Sequence, residues 1–241
     1  SSLPYDTFAA GQFAAMVRRG AQLEYDGFTG RTYFQRMTFT PSPAATKRLL
    51  EMMERARTLN PARSFLDIGA GNGRELAFLH QHFPHIQLHG VELSERGINL
   101  SHQLVHTKKL PANCIVQGDA LALPYEDESF DIVNSRAVFY HLPYIPHTGI
   151  GAEQAFAEIA RVLKKGGLAE IITRAGSGRM FAPFAQHFNE ADLHALAQSA
   201  GLKVLFLQSH DINAGLPNAS ATVSNSIINH VGHWHLGLIK P

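Results

Sequence analysis

The chain has 241 residues, 45% of them apolar and 17% charged, which suits a packed globular protein and excludes intrinsic disorder. Lys plus Arg (21) nearly balance Asp plus Glu (20), and this near-neutrality argues against a nucleic-acid groove or a polybasic membrane anchor. The single cysteine, Cys114, excludes a disulfide framework and a thiolate metal cage.

No basic stretch followed by an apolar run opens the sequence, so no leader peptide is expected and the expected setting is the cytoplasm. Residues 1–43 hold an amphipathic stretch (Phe13, Met16, Val17) and then the breakers Asp26-Gly27-Phe28-Thr29-Gly30 and Pro41-Ser42-Pro43. Residues 44–59 are predicted helical, with Leu49, Leu50, Met52, Met53 and Ala56 at helical spacing. From there strands and helices alternate. Strands are predicted at 64–70, 86–93, 114–117, 130–134, 168–173, 203–208 and 233–239. Helices are predicted at 74–83, 95–107, 153–163 and 190–200, the last with Asn189 as its N-cap. Lys164-Lys165-Gly166-Gly167 reads as the close of the third of these, positive charge in the last turn and glycine at a left-handed cap. The alternation means a parallel sheet covered on both faces, with ligands at the carboxyl ends of its strands. The last two strands have no clear helix between them and are expected to pair antiparallel. Residues 212–239 carry no Asp, Glu, Lys or Arg, but their Asn, Ser, His, Gly and Pro content rules out a membrane span.

The chemistry is expected just after each strand. The first is followed by Asp67-Ile68-Gly69-Ala70-Gly71-Asn72-Gly73-Arg74, a loop whose glycines let backbone approach a ligand closely. A dinucleotide fingerprint needs a small residue where Arg74 stands, and Asp67 would repel a pyrophosphate. The second strand ends in Val91-Glu92-Leu93, a place from which a carboxylate accepts both hydroxyls of a ribose. The third leads to Gly118-Asp119-Ala120, where Asp119 can accept from an adenine amino group and the Ala120 amide can donate to a ring nitrogen.

Residues 64–75, 90–93, 117–120, 129–142 and 153–173 resemble, in order and spacing, the motifs of class I S-adenosylmethionine-dependent methyltransferases. The closing His233-Trp234-His235-Leu236-Gly237-Leu238-Ile239-Lys240-Pro241 looks like that family's last strand. The resemblance implies a Rossmann-like α/β fold: a seven-stranded, mostly parallel sheet of order 3-2-1-4-5-7-6, the last strand antiparallel, with helices on both faces. It divides the chain into a helical cap or lid at 1–60 and a methyltransferase domain at 61–241. It implies S-adenosylmethionine as the cofactor. Carried over by position, Gly69, Gly71 and Gly73 surround its methionine and ribose, and Asp67 contacts its amino end. Glu92 takes the ribose hydroxyls, Asp119 and Ala120 the adenine, Leu93 and Leu121 the two faces of the ring. The carbonyl of Ser135 lies near the methionine ammonium. Arg74 is the departure, pointing either to solvent or to the cofactor carboxylate.

The acceptor is expected beyond the fourth strand, at Val138-Phe139-Tyr140-His141-Leu142-Pro143-Tyr144. His141 is the candidate general base because an ordinary imidazole titrates near working pH; the alternatives are a substrate contact or a structural histidine. Tyr140, Tyr144, Met180, Phe181 and Phe184 are candidate substrate contacts, the last three within a Gly- and Pro-interrupted insertion at 174–188 that suits a short lid. Tyr25, Tyr33, Phe34 and Phe39 of the N-terminal segment are candidates for its other half. The histidines at 230, 233 and 235 invite a metal, but no cysteine joins them and no metal is expected. The Asn/Asp-Pro-Pro-Tyr/Phe tetrapeptide of amino-methylating nucleic-acid enzymes is replaced by Asn134-Ser135-Arg136-Ala137, which favours a small-molecule acceptor and no nucleic acid. Nothing in the sequence sets the oligomeric state. The rival reading is a cofactor-binding scaffold or regulator without catalysis, since Glu92 and Asp119 bind rather than react.

Overall fold

The computed structural model describes residues 7–27, 39–59, 61–107, 109–176, 180–181, 185–210 and 232–241. Of the expected lid and metal residues, Tyr33, Phe34, Phe184 and His230 lie outside these, as does most of the uncharged stretch at 212–239. Met180 and Phe181 are described in their backbone alone.

The central strand β1 (Ser64–Ile68) is buried along its whole length, the burial typical of a parallel strand covered on both faces. It pairs in parallel with β2 (Gln87–Glu92) and with β4 (Phe130–Arg136). β3 (Ile115–Gln117) extends the sheet beyond β2, and β5 (Leu163–Arg174) beyond β4. A small antiparallel hairpin, β6 (Met180–Phe181) and β7 (Ala185–Gln186), stands apart. The edge is completed by β8 (Lys203–His210) and β9 (His233–Ile239), with β9 antiparallel to both β5 and β8. The sheet order is β3-β2-β1-β4-β5-β9-β8. With the hairpin set aside, this is the expected 3-2-1-4-5-7-6.

Side chains of successive strand residues point to opposite faces, and the two cores divide accordingly. On one face Phe65, Leu88, Ile132 and Leu168 pack under α2 (Pro43–Leu59) and α3 (Arg74–His82), with Leu104 of α4 (Glu95–His106). On the other, Leu66, Ile68, Val133, Ala169 and Ile171 pack under α5 (Ala152–Val162) and α6 (Glu190–Ser199). Asn189 caps α6 as expected and does so in a capping box with Asp192.

Two expectations are corrected. The helix α5 stops at Val162, and Leu163 is already extended, so Lys164–Gly167 belong to β5 and do not cap the helix. The cause is long-range: Gly166 N donates to Lys240 O at 2.8 Å, while Lys164 reaches Asp131 at 3.1 Å. The end of the chain holds this segment as strand. The N-terminal helix α1 (Thr7–Asp26) is longer than its amphipathic signal and buries Ala10, Ala14, Val17 and Ala21, leaving Phe13 and Met16 exposed. Among the described residues, no helix is long and apolar enough to cross a membrane.

Candidate active site

The carboxyl ends of β1, β2 and β4 and the loop after β3 open into one pocket, roofed by Arg18, Ala21, Gln22 and Tyr25 of α1. Its floor is the glycine loop. Gly69, Gly71 and Gly73 all have positive φ (77, 58 and 80°), the region that favours glycine. A Cβ on Gly69 would stand 2.2 Å from Val138 Cγ2, so the bare backbone lets the β4 segment close over the loop. Gly73 answers a different need. Its Cβ would collide with Ile115 and Leu110 at 2.8 Å, and Gly73 is absent from the pocket wall, so it serves helix–sheet packing. Arg74, at the first position of α3, lines the pocket.

Glu92 is held at the pocket edge by two backbone amides. Gly71 N donates to Oε2 at 2.8 Å and Ser94 N to Oε1 at 2.8 Å. Burial pushes its carboxyl above the usual range, and those amide donors oppose the shift. A carboxylate offers about four lone-pair sites, so each oxygen keeps one for a second donor. That is the geometry a vicinal diol needs. Asp119 is fixed in the same way, its Oδ1 accepting from Leu121 N at 3.0 Å and its Oδ2 paired with Arg18 at 3.1 Å.

Asp67 lies at the bottom, nearly fully buried, and accepts a 2.7 Å hydrogen bond from Asn134 Nδ2. Burial first, and then the negative charge of Glu75, push its carboxyl up to about 7. Behind it runs a buried charged network. Arg48 of α2 donates to Asn134 Oδ1 at 2.8 Å and to Glu75 Oε2 at 2.9 Å, and Arg136 pairs with Glu75 at 2.7 Å. Sequence reasoning missed Arg48, Glu75 and Arg136, because their partners lie as far as 86 residues apart.

Two cofactor candidates, Ser135 and Leu121, do not stand on the pocket wall. Ser135 is fully buried within β4, its hydroxyl on Ile68 O at 3.3 Å, and the pocket wall there is Arg136, Ala137 and Val138. Ala137 takes φ 64°, a left-handed turn that carries the chain out of the strand two residues later than the sequence suggests. Leu121 packs into the core with Leu123 and Phe156, leaving Leu93 on the pocket wall.

His141 follows β4 in a short 3₁₀ turn (Phe139–His141) and faces the pocket. Its Nε2 is hydrogen-bonded to Tyr25 Oη at 3.0 Å, and Tyr25 Oη stands 3.4 Å from Tyr140 Oη. Tyr25 was legible as a lid aromatic, but its contact across 116 residues was not. Tyr144 instead packs toward Phe188, their rings 6.3 Å apart, with its amide donating to Gln186. Burial, then the charge of Arg174, push the His141 imidazole down to about 4. The unfolded chain therefore takes up a proton near pH 6.5 that the folded chain refuses until about pH 4. The stability His141 contributes is present above pH 6.5 and is lost as pH falls through that window. Urea unfolding from pH 7 to pH 4.5 should show a steeper loss for the parent than for His141→Gln; parallel curves would contradict this burial.

His235 bonds Glu170 at 2.7 Å, which Arg55 also pairs at 2.7 Å, and among the described residues no three His, Cys, Asp or Glu side chains gather as ligands.

Residues 66–171 match a family model described as a methyltransferase domain. Phosphoethanolamine N-methyltransferase 2 of Caenorhabditis elegans is 31% identical over 137 residues, 57% of this chain and 29% of that protein. The 24-methylenesterol C-methyltransferase 2 of Arabidopsis thaliana is 32% identical over 127 residues, 52% of this chain and 32% of that one. The chain thus spans about a third of the length of these curated relatives. The solved structure of a geranyl diphosphate methyltransferase in complex with SAM superposes with a TM-score of 0.62 at 13% identity, covering 81% of this chain and 85% of that one, which shows the shared fold.

Proposed function

We propose that this chain, whose residues 66–171 match a methyltransferase domain, is a class I S-adenosylmethionine-dependent methyltransferase that transfers a methyl group from S-adenosylmethionine to a small-molecule acceptor. The observation that carries the reading is Glu92, pinned by Gly71 and Ser94 with one lone pair per oxygen directed away from those amides. Bound there, S-adenosylmethionine supplies an activated sulfonium methyl and needs no Lewis acid. Glu92 would accept from both ribose hydroxyls. Asp119 and the Ala120 amide would meet the adenine, with Leu93 against one face of its ring. Asp67 would receive the ammonium, a cation that favours its ionised form.

The helix α1 acts as the lid. It is tied across the pocket at three places: Arg18 to Asp119, Tyr25 to His141, and Asp26 to Ser94 at 2.7 Å. Each tie ends on a residue at the carboxyl end of a different strand, so closing α1 shuts water from the transfer and sets His141 at once. The acceptor enters on the His141 side and attacks in line. As its bond to the methyl forms, its proton passes to Tyr25 Oη, and the Tyr25 proton passes to Nε2 of the neutral His141. The acceptor gains CH₃ and loses H⁺, and the sulfonium leaves as a neutral thioether.

The Glu92→Ala variant tests the site. It should weaken S-adenosylhomocysteine binding by roughly 1–3 kcal/mol, because two hydroxyls lose a charged acceptor. Calorimetry that finds parent affinity in the variant would remove Glu92, and with it the observation on which the reading stands.

A further inference from the structure

We infer that the methyl acceptor carries an anionic group, a carboxylate or a phosphate, and that Arg174 binds it. The inference rests on the methyl-transfer reading of the pocket and adds the class of its substrate.

Arg174 is the last residue of β5, so it stands at the same carboxyl edge of the sheet as the rest of the site. Its guanidinium lies over the Tyr140 ring, 4.3 Å from the centroid. The Tyr140 ring is in turn 4.1 Å from the His141 ring, and both residues meet the Tyr25 hydroxyl. Arg174, Tyr140, Tyr25 and His141 therefore form one continuous corner beside the pocket.

Arg174 differs from two arginines of the cofactor half in what faces it. Arg18 is paired with Asp119 and Arg136 with Glu75. Among the described residues no carboxylate lies within ion-pair distance of Arg174, although it is half-buried. Stacking on an aromatic face satisfies the plane of a guanidinium and leaves its edge, a fork of N–H donors, available. That fork matches the two oxygens of a carboxylate or phosphate. Arg174, after burial, disfavours protonation of His141 and of His187. Left unanswered, the same positive field weakens His141 as a proton acceptor. An anionic acceptor seated on Arg174 cancels that field and so removes the charge part of the downward push on the imidazole, while the larger part, burial, remains.

The test uses the full chain loaded with S-adenosylhomocysteine and titrated with benzoate, phenyl phosphate and neutral benzamide. The parent should bind at least one anion about tenfold or more tightly than benzamide, a gap of about 1.4 kcal/mol. Arg174→Met should abolish the preference, and Arg174→Lys should restore part of it. Phenyl phosphate ahead of benzoate assigns a phosphate; the reverse order assigns a carboxylate. The proposal is overturned if benzamide binds the parent as well as the anions do, if neither anion binds, or if Arg174→Met keeps the parent's preference. Should Arg174→Met not fold, Arg174→Lys and the comparison of charged with neutral probes on the parent still decide. Should S-adenosylhomocysteine itself not bind, the methyl-transfer reading fails, and the same titrations on the unloaded chain decide the anion site separately.

Discussion

Replacing His141 by alanine is expected to lower kcat by about 10²–10⁴-fold for a hydroxyl or similarly weak acceptor, with cofactor affinity nearly unchanged. In the proposed mechanism the imidazole, which lines the pocket, is the proton acceptor, and its hydrogen bond to Tyr25 is the path by which the proton would arrive. Because burial and Arg174 push it down to about 4, it is neutral throughout the ordinary working range and competent to accept. It loses that competence only on the acid side. Single-turnover transfer between pH 3.5 and 9 should therefore show a parent rate that falls toward pH 4, an acid limb that His141→Ala lacks. A limb of the same shape in both proteins would remove His141 as the proton acceptor. A free amine or nucleophilic carbon as the acceptor would leave only the smaller loss of a positioning contact.

Glu75→Ala is expected to cost about 3–5 kcal/mol of stability, read as a fall in the urea midpoint at constant slope. Glu75 is buried and answers two arginines, Arg48 through Oε2 and Arg136 through Oε1. Arg48 is buried as well, so truncating Glu75 leaves a guanidinium in the interior with Asn134 as its remaining partner among those described here. The paired change Arg48→Met with Glu75→Leu should recover most of the loss, since the desolvation cost of both charges disappears with them. A single variant as stable as the parent would mean the network is solvated and the pocket floor is not held as described. The network also sets the chemistry above it. Arg48, by donating to Asn134 Oδ1, favours the amide orientation in which Nδ2 donates to Asp67.

These residues also mark where the sequence is readable. The parallel sheet follows from local pattern, Phe65, Leu66 and Ile68 before a glycine loop and strands alternating with helices; its strand order is what the family resemblance implies, and the structure has it. Glu92 and Asp119 are legible because each sits at the end of a strand, where position alone decides what the side chain faces. Gly73 and Ser135 share that address, but side-chain packing, not position, decides their role: one makes room for Ile115 and Leu110, and the other faces back into the sheet. The end of α5 was misjudged because Lys164-Lys165-Gly166-Gly167 satisfies every local rule for a helix stop. A contact with Lys240, some 75 residues on, overrides it. Arg48 and Arg174 carry no local signature at all, and Tyr25 carries only that of a lid aromatic. Their roles come from elements that meet only after folding.

The central claim is that the pocket is built for S-adenosylmethionine and not for a dinucleotide, and calorimetry of the full chain with S-adenosylhomocysteine and with NAD tests it most directly. The buried Asp67 below the glycine loop and the bulky Arg74 where a dinucleotide loop keeps a small residue both oppose a pyrophosphate. S-adenosylhomocysteine should bind with measurable heat, and more tightly as pH rises through about 7, where Asp67 loses its proton to face the ligand ammonium. NAD should give no saturable heat. Saturable binding of NAD with none of S-adenosylhomocysteine would contradict the account.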